Sequence, residues 1–505
     1  MVSIVQPPSR SGRVALLSLL AALVALPALT VVVGISGGRV VFALYREPKL
    51  AAFMVLGWVL FTAFCWTRRK HLNVTPWLAI SRRPEVLLLL VLLAYMALTL
   101  CWTLVPENGL YEISQYGVLI ALVFCLIIWS HDDEAVVSVV RWSLILSIGA
   151  ATLIGLLQMA GWFSFLPPIN PYEEVGYPSL MGYKNPMALA VLGQLFVLAG
   201  CIHAGRSTRA LTGQALLWCL LFVEVFYLVT LLSRSSLVGL VLGTLFLALL
   251  QLITWQDGRR LAVGSVVLPA MIACVVIAAV MLNSSARDKV RSVAGYLSHP
   301  ATILESDRGI FALNTITMVR SHPFGVGIGD WQSNYPVYRT HGRYFNFTDE
   351  KQLRRAHSDH VQMLGEVGWP GLALWLAFLG TLIWRTARDG VRRKSISSQF
   401  LAAQLVAMSA ARSWRVSGIS GSASRSSARW SATHRARRRA SGSRVSPLWC
   451  PLNLSTTSLV VFLRIAITID LSSVVSGSRP IRATAFGLQV ENLAGSWSSP
   501  TVLTT

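Results

Sequence analysis

Four short stretches carry residue types that could bind a phosphate and move a proton. Gly182-Tyr183-Lys184-Asn185-Pro186 offers a mobile cation in Lys184 and an amide in Asn185, with Pro186 suited to a first helical turn. The same run also reads as an ordinary entry into a helix. Ser233-Arg234-Ser235-Ser236 sets one guanidinium in a very short connection between two apolar runs. An arginine at a bilayer edge is costly, so Arg234 reads either as a functional cation or as a snorkelling side chain. Asp307-Arg308-Gly309-Ile310-Phe311 is followed by His322-Pro323-Phe324-Gly325-Val326-Gly327-Ile328-Gly329-Asp330. Its glycines permit tight turns and close approach to a ligand. The spacing is not that of a dinucleotide-binding turn, and no strand precedes it. The fourth stretch runs from Ala356-His357-Ser358-Asp359-His360 to Glu366-Val367-Gly368-Trp369-Pro370-Gly371. On a helix, His357, His360 and Leu364 share one face. His357 and His360 beside Asp359 could hold a metal, although the spacing dictates no third ligand. A histidine at the mouth of a membrane-entering helix also suits acid–base work.

Arginine recognises phosphate through paired hydrogen bonds, and lysine adds a point charge. Arg234, Arg308 and Lys184, with Arg320 and Arg355 as further cations, fall near one membrane boundary in the topology below. A phosphate at that depth belongs most naturally to a lipid. A histidine at the same level can take the proton of a hydroxyl. The chemistry these residues imply is transfer from a lipid-linked diphosphate to a hydroxyl acceptor.

Composition dictates what must position them. Of 505 residues 54% are hydrophobic and only 13% charged, against roughly a quarter in a soluble domain. That excludes a disordered chain and a water-soluble enzyme of normal surface, and leaves an all-α polytopic membrane protein. Ten apolar windows are long enough to cross a bilayer as helix: 14–34, 50–66, 85–105, 114–129, 136–160, 187–203, 211–231, 236–254, 261–282 and 362–384. The first reads as a retained span, not a cleaved leader. Basic loops at 67–84, 204–210, 255–260 and after span ten fall on one side if the N-terminus is cytoplasmic. Loop 35–49, with Arg39, Arg46 and Lys49, fits poorly, and Asp132, Asp133 and Glu134 give loop 130–135 no positive bias. Residues 283–361 form a long outer loop with five of the nine histidines, expected to hold short helices near 308–320 and from 355 into span ten. The expected organisation is a bundle over 1–282, the loop over 283–361, and span ten with the start of another over 362–410. The cysteines imply no disulfide framework. Glu224, the one clear acid inside a span, reads as a proton-relay group or as a hydrogen-bonded interior residue.

From about residue 411 the pattern changes. Residues 411–444 hold 10 Ser, 9 Arg and 6 Ala, and no lysine follows to the end. The tail over 411–505 reads as a basic arm for nucleic acid or anionic lipid, or as the product of a shifted reading frame in a GC-rich gene. The second reading is preferred, so the net charge of +22 implies no nucleic-acid partner.

With these motifs in hand, the chain resembles the O-antigen ligase and Wzy-like polymerase superfamily of bacterial inner-membrane proteins over roughly 14–410. The carrying features are Ser233-Arg234, Arg308, Pro323-Phe324-Gly325-Val326-Gly327, Ala356-His357 and Glu366-Val367-Gly368-Trp369-Pro370-Gly371, with Lys184-Asn185 as a further family-like position. The resemblance implies about twelve spans, a large periplasmic loop, and metal-independent inverting transfer of a glycan from undecaprenyl diphosphate with no cofactor. It implies that His357 is the general base and that Arg234 and Arg308 hold the diphosphate. Lys184, Asn185, Arg320, Arg355 and Glu366 would contact substrate. The acceptor would be lipid A-core for a ligase. A growing glycan would make the protein a polymerase, and a protein hydroxyl would make it an O-oligosaccharyltransferase. A solute or bicarbonate transporter is the alternative from another class; it calls for paired ionisable groups or broken helices at mid-membrane. The motifs name neither the sugar nor the oligomeric state.

The shifted-frame reading has a direct check. Translation of the gene beyond about codon 410 in its other frames should reveal further apolar spans. Frames without any would return the tail to the basic-arm reading.

Overall fold

The structure is a computed structural model that describes residues 10–30, 32–36, 39–43, 46–69, 80–162, 177, 179–181, 184–204, 211–231, 233–255, 287, 307–338, 356 and 358–413. For the strands and for residues 46–48, 131, 204, 234, 255, 307, 308 and 413 it describes the backbone alone. Lipid offers the main chain no hydrogen bonds, so apolar runs of this length close their own as helices. They are α1 (Arg10–Leu29), α2 (Arg46–Arg68), α3 (Pro84–Thr99), α4 (Pro106–Asp132), α5 (Ala135–Met159), α6 (Lys184–Ala204), α7 (Leu211–Thr230) and α8 (Arg234–Trp255). Next come α9 (Asp307–Ser321), the short α10 (Trp331–Asn334), α11 (Asp359–Arg392) and α12 (Ile396–Ser413). Among the described residues nine helices are long and apolar enough to cross a membrane. The protein is therefore an all-α polytopic membrane protein. One small departure is an antiparallel hairpin of β1 (Val32–Ser36) and β2 (Arg39–Ala43), paired from Val32↔Ala43 to Ser36↔Arg39, where a plain connection was expected. The expected span at 261–282 lies outside the described residues.

Ion pairs mark one end of the bundle. Arg13, at the start of α1, holds both carboxylate oxygens of Asp133 at 2.6 Å. Arg68, at the end of α2, pairs with Asp132, and Arg385 of α11 pairs with the buried Glu85 at the start of α3. Two acids of loop 130–135 are thus matched by arginines of neighbouring helices, which is why that loop shows no basic excess of its own. At the opposite end, hereafter the site face, buried Lys49 donates to the Leu180 carbonyl. This cation, which fitted poorly as a loop charge, is a tether between helices.

The interior is apolar and tightly packed. Gln194 of α6 donates to Glu224 of α7 at 2.6 Å and to the Ile145 carbonyl of α5 at 3.0 Å. Of the two readings of Glu224, the structure shows the hydrogen-bonded interior residue. α12 lies along α8 with α6 and α11 beside it. The approach is close because α8 presents Gly243 to Ala403 and Ala407, the small-residue contact that replaces hydrophobic drive inside lipid. A Cβ at Gly243 would stand 2.6 Å from Ala407 Cβ and 2.7 Å from Phe196 Cζ. Gly243→Val should therefore lower thermal stability in detergent by about 1–3 kcal/mol. An unchanged melting curve would show that α12 packs elsewhere.

Candidate functional site

Ser358 opens α11 as its N-cap, accepting from the Val361 N–H at 3.5 Å. The expected helix face carrying His357, His360 and Leu364 is not continuous, because α11 begins only at Asp359. Span ten is not continuous either. Gly368 has φ 66° and ψ −166°, a region open essentially to glycine alone. The helical ladder breaks there, and residues 323–327 enter the break. Val326 N–H donates to Gly365 O (3.0 Å), Gly327 N–H to Glu366 O (2.9 Å), and Trp369 N–H to Pro323 O (3.0 Å). A Cβ at Gly368 would collide with the Pro323 carbonyl.

The break reverses the chain. Trp375 Nε1 donates to His360 Nδ1 at 3.2 Å. Fifteen residues of straight helix would separate these two by about 22 Å. An imidazole and an indole cannot bridge that span, so the chain turns through more than a right angle at Gly368. Residues 359–367 fold back against the crossing leg, 369–392, and sit inside the bundle at the site face. The His360 ring also hydrogen-bonds the Ser409 main chain of α12.

The glycine-rich turn is anchored on its other side by the end of α3 and the start of α4. Trp102 Nε1 donates to Gly325 O (3.1 Å), and Ile328 N–H donates to Thr99 Oγ1 (3.1 Å). Buried Asp330 accepts from Thr103 Oγ1 (3.0 Å), Val105 N–H (3.2 Å) and Leu104 N–H. It supplies the amides ahead of Pro106 with a partner that Val105, as N-cap, cannot. Behind the turn, Trp331 stacks on Tyr335 with ring centroids 4.3 Å apart and donates to Thr315 Oγ1 of α9 (3.0 Å). An open cleft of about 500 Å³ runs between Trp102, Leu104, His322, Phe324 and Asn334.

The expected site residues divide by placement. Lys184 and Asn185 begin α6, whose entry is fixed by the turn Ser179–Met181. The Ser179 N–H donates to Gln158 of α5 (3.0 Å), and Leu180 O accepts from Lys49. Asn185 Oδ1 accepts from Ser233 Oγ (3.1 Å), and that hydroxyl lies within 3.3 Å of the Ser235 and Ser236 hydroxyls. The first two motifs are thus brought together, with the Arg234 backbone opening α8 beside them. Arg308 lies in the first turn of α9; the side chains of Arg234 and Arg308 are outside the described residues. Arg320 is exposed in the last turn of α9, roughly 18 Å along the helix from Arg308, so these two are not brought together. Glu366 is buried, and its carboxylate accepts from Gln362 Nε2. Gln362 Oε1 accepts in turn from the Ala356 N–H at 2.9 Å. His357 and Arg355 lie outside the described residues, but His357 is flanked by buried Ala356 and the Ser358 cap.

Sequence reasoning missed Gln362 and gave Asp330 no role. An acid closing a glycine-rich turn was the available signal for Asp330. It also missed Arg412, which ends α12 and comes within 3.3 Å of Asp359.

The Lys184 ammonium, the Asn185 amide, the Ser233 hydroxyl, the Glu366 carboxylate and the Ser358 cap therefore lie at one end of an apolar bundle. A polar headgroup carried by a lipid would meet them there. That defines a polytopic membrane protein with a site at one boundary. Residues 187–376, from α6 into α11, match the family model described as O-antigen ligase. No curated protein matches the chain. The match contains Ser233, the glycine-rich turn and the α11 break; Lys184, Asn185 and Arg412 lie beyond its ends.

Gly368→Ala should cost about 1–3 kcal/mol from backbone strain, with a further penalty from the clash with Pro323. Limited proteolysis and thermal melts would detect the loosened segment. A variant as stable and resistant as the parent would contradict the reversal at Gly368.

Proposed function

We propose that the protein moves a glycan from undecaprenyl diphosphate to a hydroxyl acceptor, joining O-antigen to lipid A-core. In this reading the site face is periplasmic, the N-terminus is cytoplasmic, and the membrane is the bacterial inner membrane. The observation that supports it is the stitch between 323–327 and 365–369 inside the family-matched region, which holds the start of α11 at the same end of the bundle as Asn185 and Ser233.

In this scheme the transfer is a single inverting displacement. His357 takes the proton of the acceptor hydroxyl as its oxygen attacks the anomeric carbon from the side opposite the diphosphate. The carbon–oxygen bond to phosphate breaks, its electron pair leaves with the diphosphate, and the sugar inverts. Arg234 and Arg308 meet the charge that grows on the leaving oxygens, with Lys184 as a supplementary cation. No metal is needed in this scheme. Glu366 acts at a distance, through Gln362 and the Ala356 N–H, to hold the His357 segment in place.

Glycan profiling of a deletion strain tests the reading. Loss of polysaccharide from lipid A-core supports a ligase; shortened chains would indicate a polymerase, and unglycosylated protein a transferase to protein. Complementation with His357→Ala should leave transfer about 10²–10⁴-fold down with membrane insertion intact. Arg234→Lys should lose about 100-fold because the planar fork is gone. Full transfer by His357→Ala would remove the base from the scheme.

A further inference from the structure

We infer that the open cleft beside the glycine-rich turn is a sugar-binding site, which takes a sugar ring of the acceptor glycan. The assignment to the acceptor rests on the reading above; the cleft and its chemistry do not. At about 500 Å³ the cleft is of a size with small-molecule sites. Its apolar part is built from Trp102 and Leu104 of the α3–α4 rim and from Phe324 of the turn. The Trp102 ring is fixed, because its indole N–H donates to Gly325 O at 3.1 Å, yet 39% of the residue is exposed. Phe324 is 61% exposed on an equally rigid support. Pro323 O accepts from the Trp369 N–H (3.0 Å), Phe324 O from the Tyr95 hydroxyl (3.3 Å), and the Gly325 N–H donates to the His322 carbonyl (2.8 Å). Two aromatic rings held open to solvent by pinned backbone mark a surface that meets something.

The remaining side chains of the cleft include Ser321, His322 and Asn334, which are polar. His322 Nε2 lies 2.7 Å from the Tyr338 hydroxyl with the two rings at 88°, so the imidazole is held in place and Nδ1 is its other polar atom. Asn334 is held through Nδ2, which donates to Asp330 O at 3.1 Å. A sugar ring matches both parts of this lining. Its C–H face packs on an aromatic plane, and its hydroxyls meet hydroxyl, imidazole and amide at the edge. An acyl chain would cover the aromatic part but strip water from Ser321, His322 and Asn334 without replacing it. Position in the bundle then selects the acceptor. α3 packs chiefly against α11, and α8 chiefly against α12, with α6 and α11 beside it. The cleft is thus separated by α11 from the entries of α6 and α8, where Lys184 and Asn185 stand on the donor side.

Titration of the full-length protein in detergent with lipid-free core oligosaccharide, followed by saturation-transfer NMR, measures the site without any transfer reaction. F324L should weaken binding by about three- to tenfold, the scale of one lost aromatic face. F324Y keeps the face and should bind like the parent. S321W sets an indole into the cleft from an exposed position and should abolish binding. Unchanged binding in either F324L or S321W would return the two rings to a lipid-facing belt and overturn the proposal. So would a parent protein that binds no core oligosaccharide. Should F324L fail to fold, S321W carries the test alone: lost binding supports the site, and retained binding overturns it. A parallel titration with released O-antigen glycan decides the source. Loss confined to the core oligosaccharide supports the acceptor; loss of O-antigen binding in F324L, alone or together with core, would overturn that assignment. Core binding that depends on Phe324, in a protein whose deletion leaves polysaccharide on lipid A-core, would keep this site and refute the ligase reading instead. Lost attachment in the deletion strain, with core binding indifferent to F324L and S321W, would refute this site alone.

Discussion

Three main-chain hydrogen bonds hold the site together: Val326 to Gly365, Gly327 to Glu366, and Trp369 to Pro323. A helix that breaks among apolar neighbours strands donors and acceptors that lipid cannot satisfy. Here the break at Gly368 hands its freed groups to a glycine-rich turn, and the turn depends equally on the break. The backbones come so near that a Cβ at Gly325 would run into the Glu366 carbonyl, and one at Gly368 into Pro323. Two glycines distant in sequence are therefore one structural requirement. Each permits the approach that satisfies the other's segment.

Two neighbouring regions of the site face are tied to that contact. On one side the turn reaches the rim of α3 and α4 through Trp102, Thr99 and Asp330. On the other, residues 359–367 reach the interior through Trp375, Ser409 and Arg412. The short chain Glu366–Gln362–Ala356 then carries this rigidity to the residue before His357. Loops seldom hold a reactive group well, whereas a segment pinned at both ends by buried bonds can. Ala356 is thus held by packed helices through Gln362 and Glu366.

Much of this was legible in the sequence. Apolar run length located all nine of the described crossing helices, with ends off by up to eight residues, because lipid leaves the chain no other regular form. The helix expected near 308–320 is α9, and the one opening near 355 is α11 with its cap at Ser358. The break at Gly368 was not legible. Apolar residues continue on both sides of it, and periodicity reports a helix face without reporting where the axis turns. Gln362 and Arg412 were invisible for a related reason: their roles exist only once the chain has reversed and α12 has come alongside. The acids at 132 and 133 misled as loop charges because their arginine partners sit far away in sequence, on α1 and α2.

The broken helix bears on the choice between transfer and transport. Transporters place helix breaks near mid-membrane, where freed backbone groups face a passing ion or solute. In this protein the break lies at the site face, and the backbone groups named above are consumed by residues 323–327. Glu224, the acid that a proton relay would use, accepts from Gln194 in a packed interior shared by α5, α6 and α7. A break whose freed backbone groups are already paired offers a passing solute little to bind.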